Sequence, residues 1–291
     1  MNIFYNIQQL QNQILVEKKS GGTIGFVPTM GALHAGHLSL IMKARQENDI
    51  VVCSIFVNPT QFNDKRDFDK YPVDHERDIK LLKKAGCHIV FLPNVKEMYP
   101  KGFKQTNPLD FGFLAQTLEG EFRPGHFAGM AWVVELLLRA VQPHRLYMGS
   151  KDYQQAMICG ELIRKRRMPI QLVVCDTRRE RDGLAMSSRN VRLSAKARMR
   201  APEISKTLKW VKREFHKLSS TSFRDAVTAL EIAAIDRLQT RQDAKAAPFN
   251  TEYIAIRNAK TLKPLRNHNE PAVVLAAAWL DGVRLIDNML L

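Results

Sequence analysis

The sequence predicts an α/β fold, a doubly wound, Rossmann-like parallel sheet followed by a smaller α+β domain. Three observations carry this. From residue 23 to 175, apolar runs of strand length alternate with segments of helical periodicity, the pattern of parallel strands joined by crossover helices. The run Ile50-Val-Val-Cys-Ser-Ile-Phe-Val57 is continuously apolar rather than alternating, which suits a strand buried on both faces. After Asp176 the alternation gives way to a charged stretch, long helical segments and a few closing strands. The boundary is therefore placed near 177, with a first domain over 1–177 and a second over 178–291.

Taken in order, Ile3, Ile7, Leu10 and Ile14 are spaced like an amphipathic helix over residues 1–20. A strand at 23–27 and a helix at 38–48 follow, then the strand at 50–57 with the polar loop Asn58-Pro-Thr-Gln-Phe62 directly after it. Open α/β sheets place ligands at such strand ends. A helix near 74–85 and a strand at 88–92 come next. Residues 93–125 are rich in proline and glycine and read as loop. His126–Val141 reads as a buried helix and Arg145–Met148 as a strand. Gly149-Ser-Lys-Asp-Tyr-Gln-Gln155 opens the next helix, with Asp152 placed as an N-cap or first-turn acid. Ile170–Cys175 is the last strand of this half. In the second domain, 177–190 reads as a flexible polar stretch, 195–238 as helical and 239–250 as a linker. Tyr253–Ile256, Ala272–Ala278 and Val283–Ile286 read as a small antiparallel sheet.

The 291 residues, 45% hydrophobic and 25% charged, describe an ordinary soluble globular chain. No apolar run approaches the ~18 residues of a membrane span, and the N-terminus lacks the pattern of an export signal. Four scattered cysteines with no C-x-x-C read as reduced core residues of a cytosolic protein rather than metal ligands or disulfides. The net charge is +15, and from Arg178 onward there are 22 basic against 12 acidic residues. The one dense basic run, Arg164-Lys-Arg-Arg167, has no aromatic stacking motif beside it. A positive field for anionic small substrates therefore accounts for the charge better than nucleic acid does.

The stretch Pro28-Thr-Met-Gly-Ala-Leu-His-Ala-Gly-His37 joins a strand to a helix start through a glycine turn. Free N–H groups and the helix dipole favour an anion there. The spacing Gly31-x4-Gly36 is followed by His37-Leu38 rather than Lys and Ser/Thr, which excludes a P-loop, and no G-x-G-x-x-G is present. What remains is H-A-G-H, which resembles the histidine signature of class I nucleotidyl transferases.

Four motifs line up at the ends of predicted sheet strands: P-T-M-G-A-L-H-A-G-H, N-P-T-Q-F, S-K-D-Y-Q-Q and D-G-L-A-M-S-S-R-N. With R-P-G-H-F at 123–127 and the closing Arg284-Leu-Ile-Asp-Asn288, the chain resembles the pantoate–β-alanine ligases. Another nucleotidyl transferase would share H-x-G-H but not N-P-T-Q-F and K-D-Y-Q-Q together. The resemblance implies a two-step reaction. Pantoate attacks the α-phosphorus of ATP, releasing pyrophosphate, and β-alanine then takes the pantoyl group from its adenylate. It implies that His34, His37, Lys151 and Arg189 are catalytic and that Met30, Gly149, Asp152, Met186, Ser187 and Ser188 join them on ATP. It further implies that Gln61, Gln155 and Asn58 bind pantoate, that Asp78 is associated with Mg2+, and that Arg123 and His126 line the site. A cytoplasmic homodimer formed through the first domain follows from the same likeness. The chain departs from the family pattern at Ser150, where Glu is usual, and at Trp132 and Leu136, where Thr and Lys are usual.

Overall fold

The computed structural model describes residues 1–62, 65–105, 107–218, 222–240 and 248–291. The chain forms two compact units. One comprises Met1–Gln116 with Arg123–Asp176, the other Thr117–Phe122 with Thr177–Leu291.

The first unit is built on a six-stranded sheet of β1 (Asn2–Phe4), β2 (Ile24–Thr29), β3 (Ile50–Ile55), β4 (Ile89–Phe91), β5 (Arg145–Gly149) and β6 (Gln171–Cys175). Its order is β1-β4-β3-β2-β5-β6, with every pairing parallel. Successive side chains point to opposite faces, and the core divides accordingly. Ile24, Phe26, Val52, Ile89, Phe91, Leu146 and Met148 pack under helices Ile7–Lys19, His126–Val141 and Tyr153–Lys165. Val27, Val51, Cys53, Val90 and Tyr147 pack under helices Ala35–Glu47 and His75–Lys84. The result is a doubly wound sheet covered on both faces. From β2 the chain steps outward to β3 and β4, then returns past β2 to β5 and β6. The switch point therefore lies between the C-terminal ends of β2 and β5, where open α/β sheets have their crevice.

The N-terminus departs from the expected helix over 1–20. Ile3 belongs to β1, pairing with Val90, and the helix starts at Ile7 because the Asn6 side chain accepts the Gln9 N–H and caps it. A three-residue strand is too short to leave a period in the sequence. The second helix starts at Ala35 rather than near 38, capped by His34. The stretch 93–125 holds three one-turn helices, Val95–Met98, Phe113–Gln116 and Glu119–Phe122; Thr106 lies outside the described residues. Burial pushes the thiols of Cys53, Cys87 and Cys159 up, the latter two to about 12, which keeps them protonated.

In the second unit, helices Glu203–Phe215 and Phe223–Thr240 bury Leu208, Val211, Phe215, Val227 and Leu230 in one core with Ile254, Ile256, Val274 and Ala276. These last come from an antiparallel sheet of β7 (Asn250–Asn258), β8 (Ala272–Leu280) and β9 (Val283–Leu290). The linker expected over 239–250 falls largely on 241–247, which lie outside the described residues. The hexapeptide 117–122, counted by sequence with the first domain, groups with this unit. Glu119 is the reason. Both its oxygens accept from Arg284 at 2.7 Å, and Tyr253 donates to it at 2.6 Å. Arg284 also donates to Glu252, so the buried carboxylate and guanidinium are compensated on all sides.

The segment expected to be flexible after Asp176 is a tight turn. Arg179 and Ala185 form a β-bridge, the Met186 N–H donates to the Arg178 carbonyl, and Gly183 takes φ +94°. Arg179 then donates twice to the buried Asp287 carboxylate, at 2.6 and 2.9 Å. The closing Arg284–Asn288 motif is thereby explained: Arg284 and Asp287 hold chain segments in place.

Candidate active site

Strand β2 ends at Thr29, whose hydroxyl accepts the Gly31 N–H and donates to the Ser54 carbonyl of β3. The chain then turns through Gly31 (φ +85°) and Ala32 (φ +49°) into the helix Ala35–Glu47. That helix opens on a capping box made of two histidines. His34 Nδ1 accepts the Gly36 N–H at 3.1 Å, and His37 Nδ1 accepts the His34 N–H at 3.4 Å. Their rings lie 4.0 Å apart. Because Nδ1 is the acceptor in each, a neutral ring carries its proton on Nε2. Burial, with the charges of Lys151 and Arg77 and against that of Asp152, pulls His34 from 6.5 to about 4. Burial, His34 and Lys151 hold His37 well below its ordinary value. Near neutral pH the helix start thus presents two uncharged imidazoles with Nε2–H donors.

This yields a pH prediction. The unfolded chain takes up the His34 proton near 6.5, whereas the folded chain resists to about 4. Stability from this group is therefore full above 6.5 and is lost as pH falls toward 4, by about 3 kcal/mol. Denaturant midpoints of the wild type and His34→Asn at pH 7 and 4.5 check this, the variant showing the smaller acid loss.

Across the switch point, β5 ends at Gly149 and continues into the 3-10 turn Ser150–Asp152 and the helix Tyr153–Lys165. Lys151 Nζ lies 3.6 Å from Asp152 Oδ1, near enough to the histidines to depress both. Asp152 occupies the N-cap position but makes no capping hydrogen bond. Gln154 is buried and donates to the Leu114 carbonyl, whereas Gln155 is half-buried.

After β3, Asn58 has its whole amide engaged. Nδ2 donates to Gln61 Oε1 and the Gly129 carbonyl, while Oδ1 accepts from the Thr60 N–H, the Thr60 hydroxyl and the Tyr99 hydroxyl. Asn58 therefore shapes the loop from within. Gln61 receives that bond and donates to Met30 Sδ at 3.0 Å, joining the ends of β2 and β3. His126 Nδ1–H donates to the Gln61 carbonyl at 2.9 Å, leaving Nε2 to accept from Arg123 at 3.2 Å. Tyr99 and Gly129 complete this loop and were not singled out by sequence. Tyr99 has no local signature. Gly129 had one: a glycine inside an apolar helix marks a close backbone approach, and a Cβ there would meet the Thr60 carbonyl oxygen at 2.1 Å. Trp132 and Tyr99 form a T-shaped ring pair with centroids 4.7 Å apart, and Leu136 packs against the main core.

The resemblance associates Asp78 with Mg2+. Asp78 is fully buried on helix His75–Lys84, with Oδ2 accepting the Ala32 N–H and Oδ1 the Leu33 N–H, both at 2.8 Å. Among the described residues, no three His, Cys, Asp or Glu side chains group so as to hold a metal ion. In the second unit, Ser187 Oγ accepts the Arg189 N–H to cap the turn Ser188–Arg192, and Asn190 donates to the Ala185 carbonyl. Met186, Ser187 and Arg189 are half-buried and Ser188 is buried. Among the described residues, no helix is long and apolar enough to cross a membrane.

The model of the family Pantoate-beta-alanine ligase matches residues 2–290. The pantothenate synthetase of Thermotoga neapolitana is 43% identical over 293 residues, covering the full length of both chains. That of Cytophaga hutchinsonii is 41% identical over 288 residues, covering 98% of each. The crystal structure of pantothenate synthetase from Thermus thermophilus superposes with a TM-score of 0.89 at 39% identity over 99% of both chains. The Francisella tularensis ligase, solved with β-γ ATP and β-alanine, gives 0.74 at 35% identity over 100% of this chain and 97% of that one. With matches of this length and identity, the chain belongs to the pantoate–β-alanine ligase family.

Proposed function

We infer that the β2–β5 crevice binds the triphosphate of ATP for the reaction of this family, the ATP-dependent condensation of pantoate with β-alanine through a pantoyl adenylate. One observation carries the assignment of residues. Two neutral imidazoles with Nε2–H donors and one ammonium gather where the sheet switches direction, at a helix N-terminus. Such a set suits polyphosphate without needing a proton to leave or arrive.

His34 and His37 donate to phosphate oxygens, with Met30 beside the reacting centre. Lys151 offsets the charge that builds on the α-phosphate as the pantoate carboxylate attacks and pyrophosphate departs. Asp152 addresses the ribose, and Gly149 leaves backbone room for the nucleotide. In the second unit, Met186, Ser187, Ser188 and Arg189 contact the triphosphate, Arg189 as a multidentate donor. Gln61 and Gln155 bind pantoate, their amides able to donate to a carboxylate and accept from hydroxyls. Asn58, His126 and Arg123 act behind Gln61 by fixing its amide and carbonyl. The β-alanine amine then attacks the acyl carbon and AMP departs, so alignment does most of the catalysis. Magnesium enters with ATP, held by the substrate's phosphates and by water that this ion gives up reluctantly. A homodimer formed through the first unit, in the cytoplasm, completes the reading.

The test is pyrophosphate release from Mg–ATP with pantoate, with and without β-alanine. Pantoate-dependent release that is sustained only with β-alanine is expected. Release that ignores pantoate, or sustained turnover without any amine, would sink the reading.

A further inference from the structure

We propose that Asp78 is a positioning residue that clamps the Gly31–Leu33 turn, and through it His34 and His37, and is not a ligand of magnesium. The inference rests on the reading of the two histidines as triphosphate donors.

Two successive left-handed residues, Gly31 and Ala32, bring neighbouring N–H groups to one side of the chain. Such concavities hold phosphate in glycine-rich loops. Here the concavity is filled by an internal anion: each carboxylate oxygen of Asp78 takes one N–H, from Ala32 and from Leu33, at 2.8 Å. The fit is tight, because a Cβ on Gly31 would stand 3.0 Å from Asp78 Oδ2. Arg77 closes the turn from its other polar group, donating to the Leu33 carbonyl at 3.2 Å. One helix thus holds both the N–H and the C=O of the residue preceding His34.

The same geometry disfavours a cation. Direct ligation of magnesium by a carboxylate needs an oxygen lone pair open to a near-octahedral shell at about 2.0–2.1 Å. The Asp78 carboxylate is fully buried, is turned into the protein's own N–H groups, and has the Arg77 guanidinium 4.0 Å from Oδ1. A dication there would face a like charge and displace both hydrogen bonds.

Asp78→Asn separates the two roles. The amide keeps one acceptor and sets an NH2 against the second backbone N–H. Amide exchange at Ala32 or Leu33 is expected to quicken by about tenfold or more. The KM for ATP should rise by about tenfold, while the KM for β-alanine and the Mg2+ concentration for half-activation at saturating ATP stay within about twofold. If Asp78→Asn fails to fold, Gly31→Ala perturbs the clamp from the loop side with the carboxylate intact, and the same changes are expected. Half-activation by Mg2+ weakened by about tenfold would overturn the proposal, as would unchanged exchange at both amides or an unchanged KM for ATP. A wild type without pantoate-dependent turnover would remove the ligase reading, and amide exchange would still decide the clamp.

Discussion

Lys151→Ala is expected to lower kcat for pantoate-dependent pyrophosphate release by about 10²–10³-fold. In the proposed reaction the Lys151 ammonium offsets the negative charge that grows on the α-phosphate, and the neighbouring imidazoles are neutral. They donate hydrogen bonds but bring no formal charge, so much of the charge compensation in this unit falls to Lys151. The effect belongs in kcat more than in KM for ATP, because the demand is greatest in the transition state. The ion pair with the half-exposed Asp152 is of a kind worth under about 1 kcal/mol, and a thermal melt reads any wider effect on the fold. Lys151→Arg should not restore the rate, because a planar fork on a longer stem cannot replace a compact charge. Steady-state kinetics beside a thermal melt decide it. A fall of less than about threefold would remove Lys151 from the chemistry.

Gly129→Ala is expected to cost the first unit about 3 kcal/mol or more, because it forces backbone apart from backbone. The added Cβ would lie 2.1 Å from the Thr60 carbonyl oxygen and 3.0 Å from the Gln61 nitrogen. Neither is the end of a flexible side chain. Relief requires the Asn58–Gln61 loop to move off helix His126–Val141, breaking the bond from Asn58 to the Gly129 carbonyl. The melting midpoint should fall by about 10 °C, and the KM for pantoate should rise with the displacement of Gln61. A midpoint unchanged within about 2 °C would mean that the helix and loop can separate without strain.

Most of the fold is legible in the sequence because the forces that make it are local or periodic. β2, β3 and β5 announce themselves by apolar runs, and helix His126–Val141 by its buried stripe, because a sheet covered on both faces needs such segments whatever surrounds them. Elements too short for a period escape. β1, the one-turn helices of 93–125 and the turn over 179–185 are held by caps and long-range pairs such as Glu119 with Arg284 and Arg179 with Asp287. In both of those pairs the partners lie more than a hundred residues apart along the chain.

At the site, residue order alone places the chemistry-bearing side chains at strand ends: His34 and His37 after β2, Gln61 after β3, Lys151 after β5. It also carries the family, through motifs that no single spacing rule would produce. What each residue touches is visible only once the chain is folded. Backbone N–H groups on Nδ1 set the histidines' tautomer, and burial sets their neutrality. Folding also turns Asn58 inward and pairs Asp78 with the glycine loop. A side chain's role depends on which of its lone pairs and protons remain after the fold has claimed the others, and those claims come largely from residues distant in sequence.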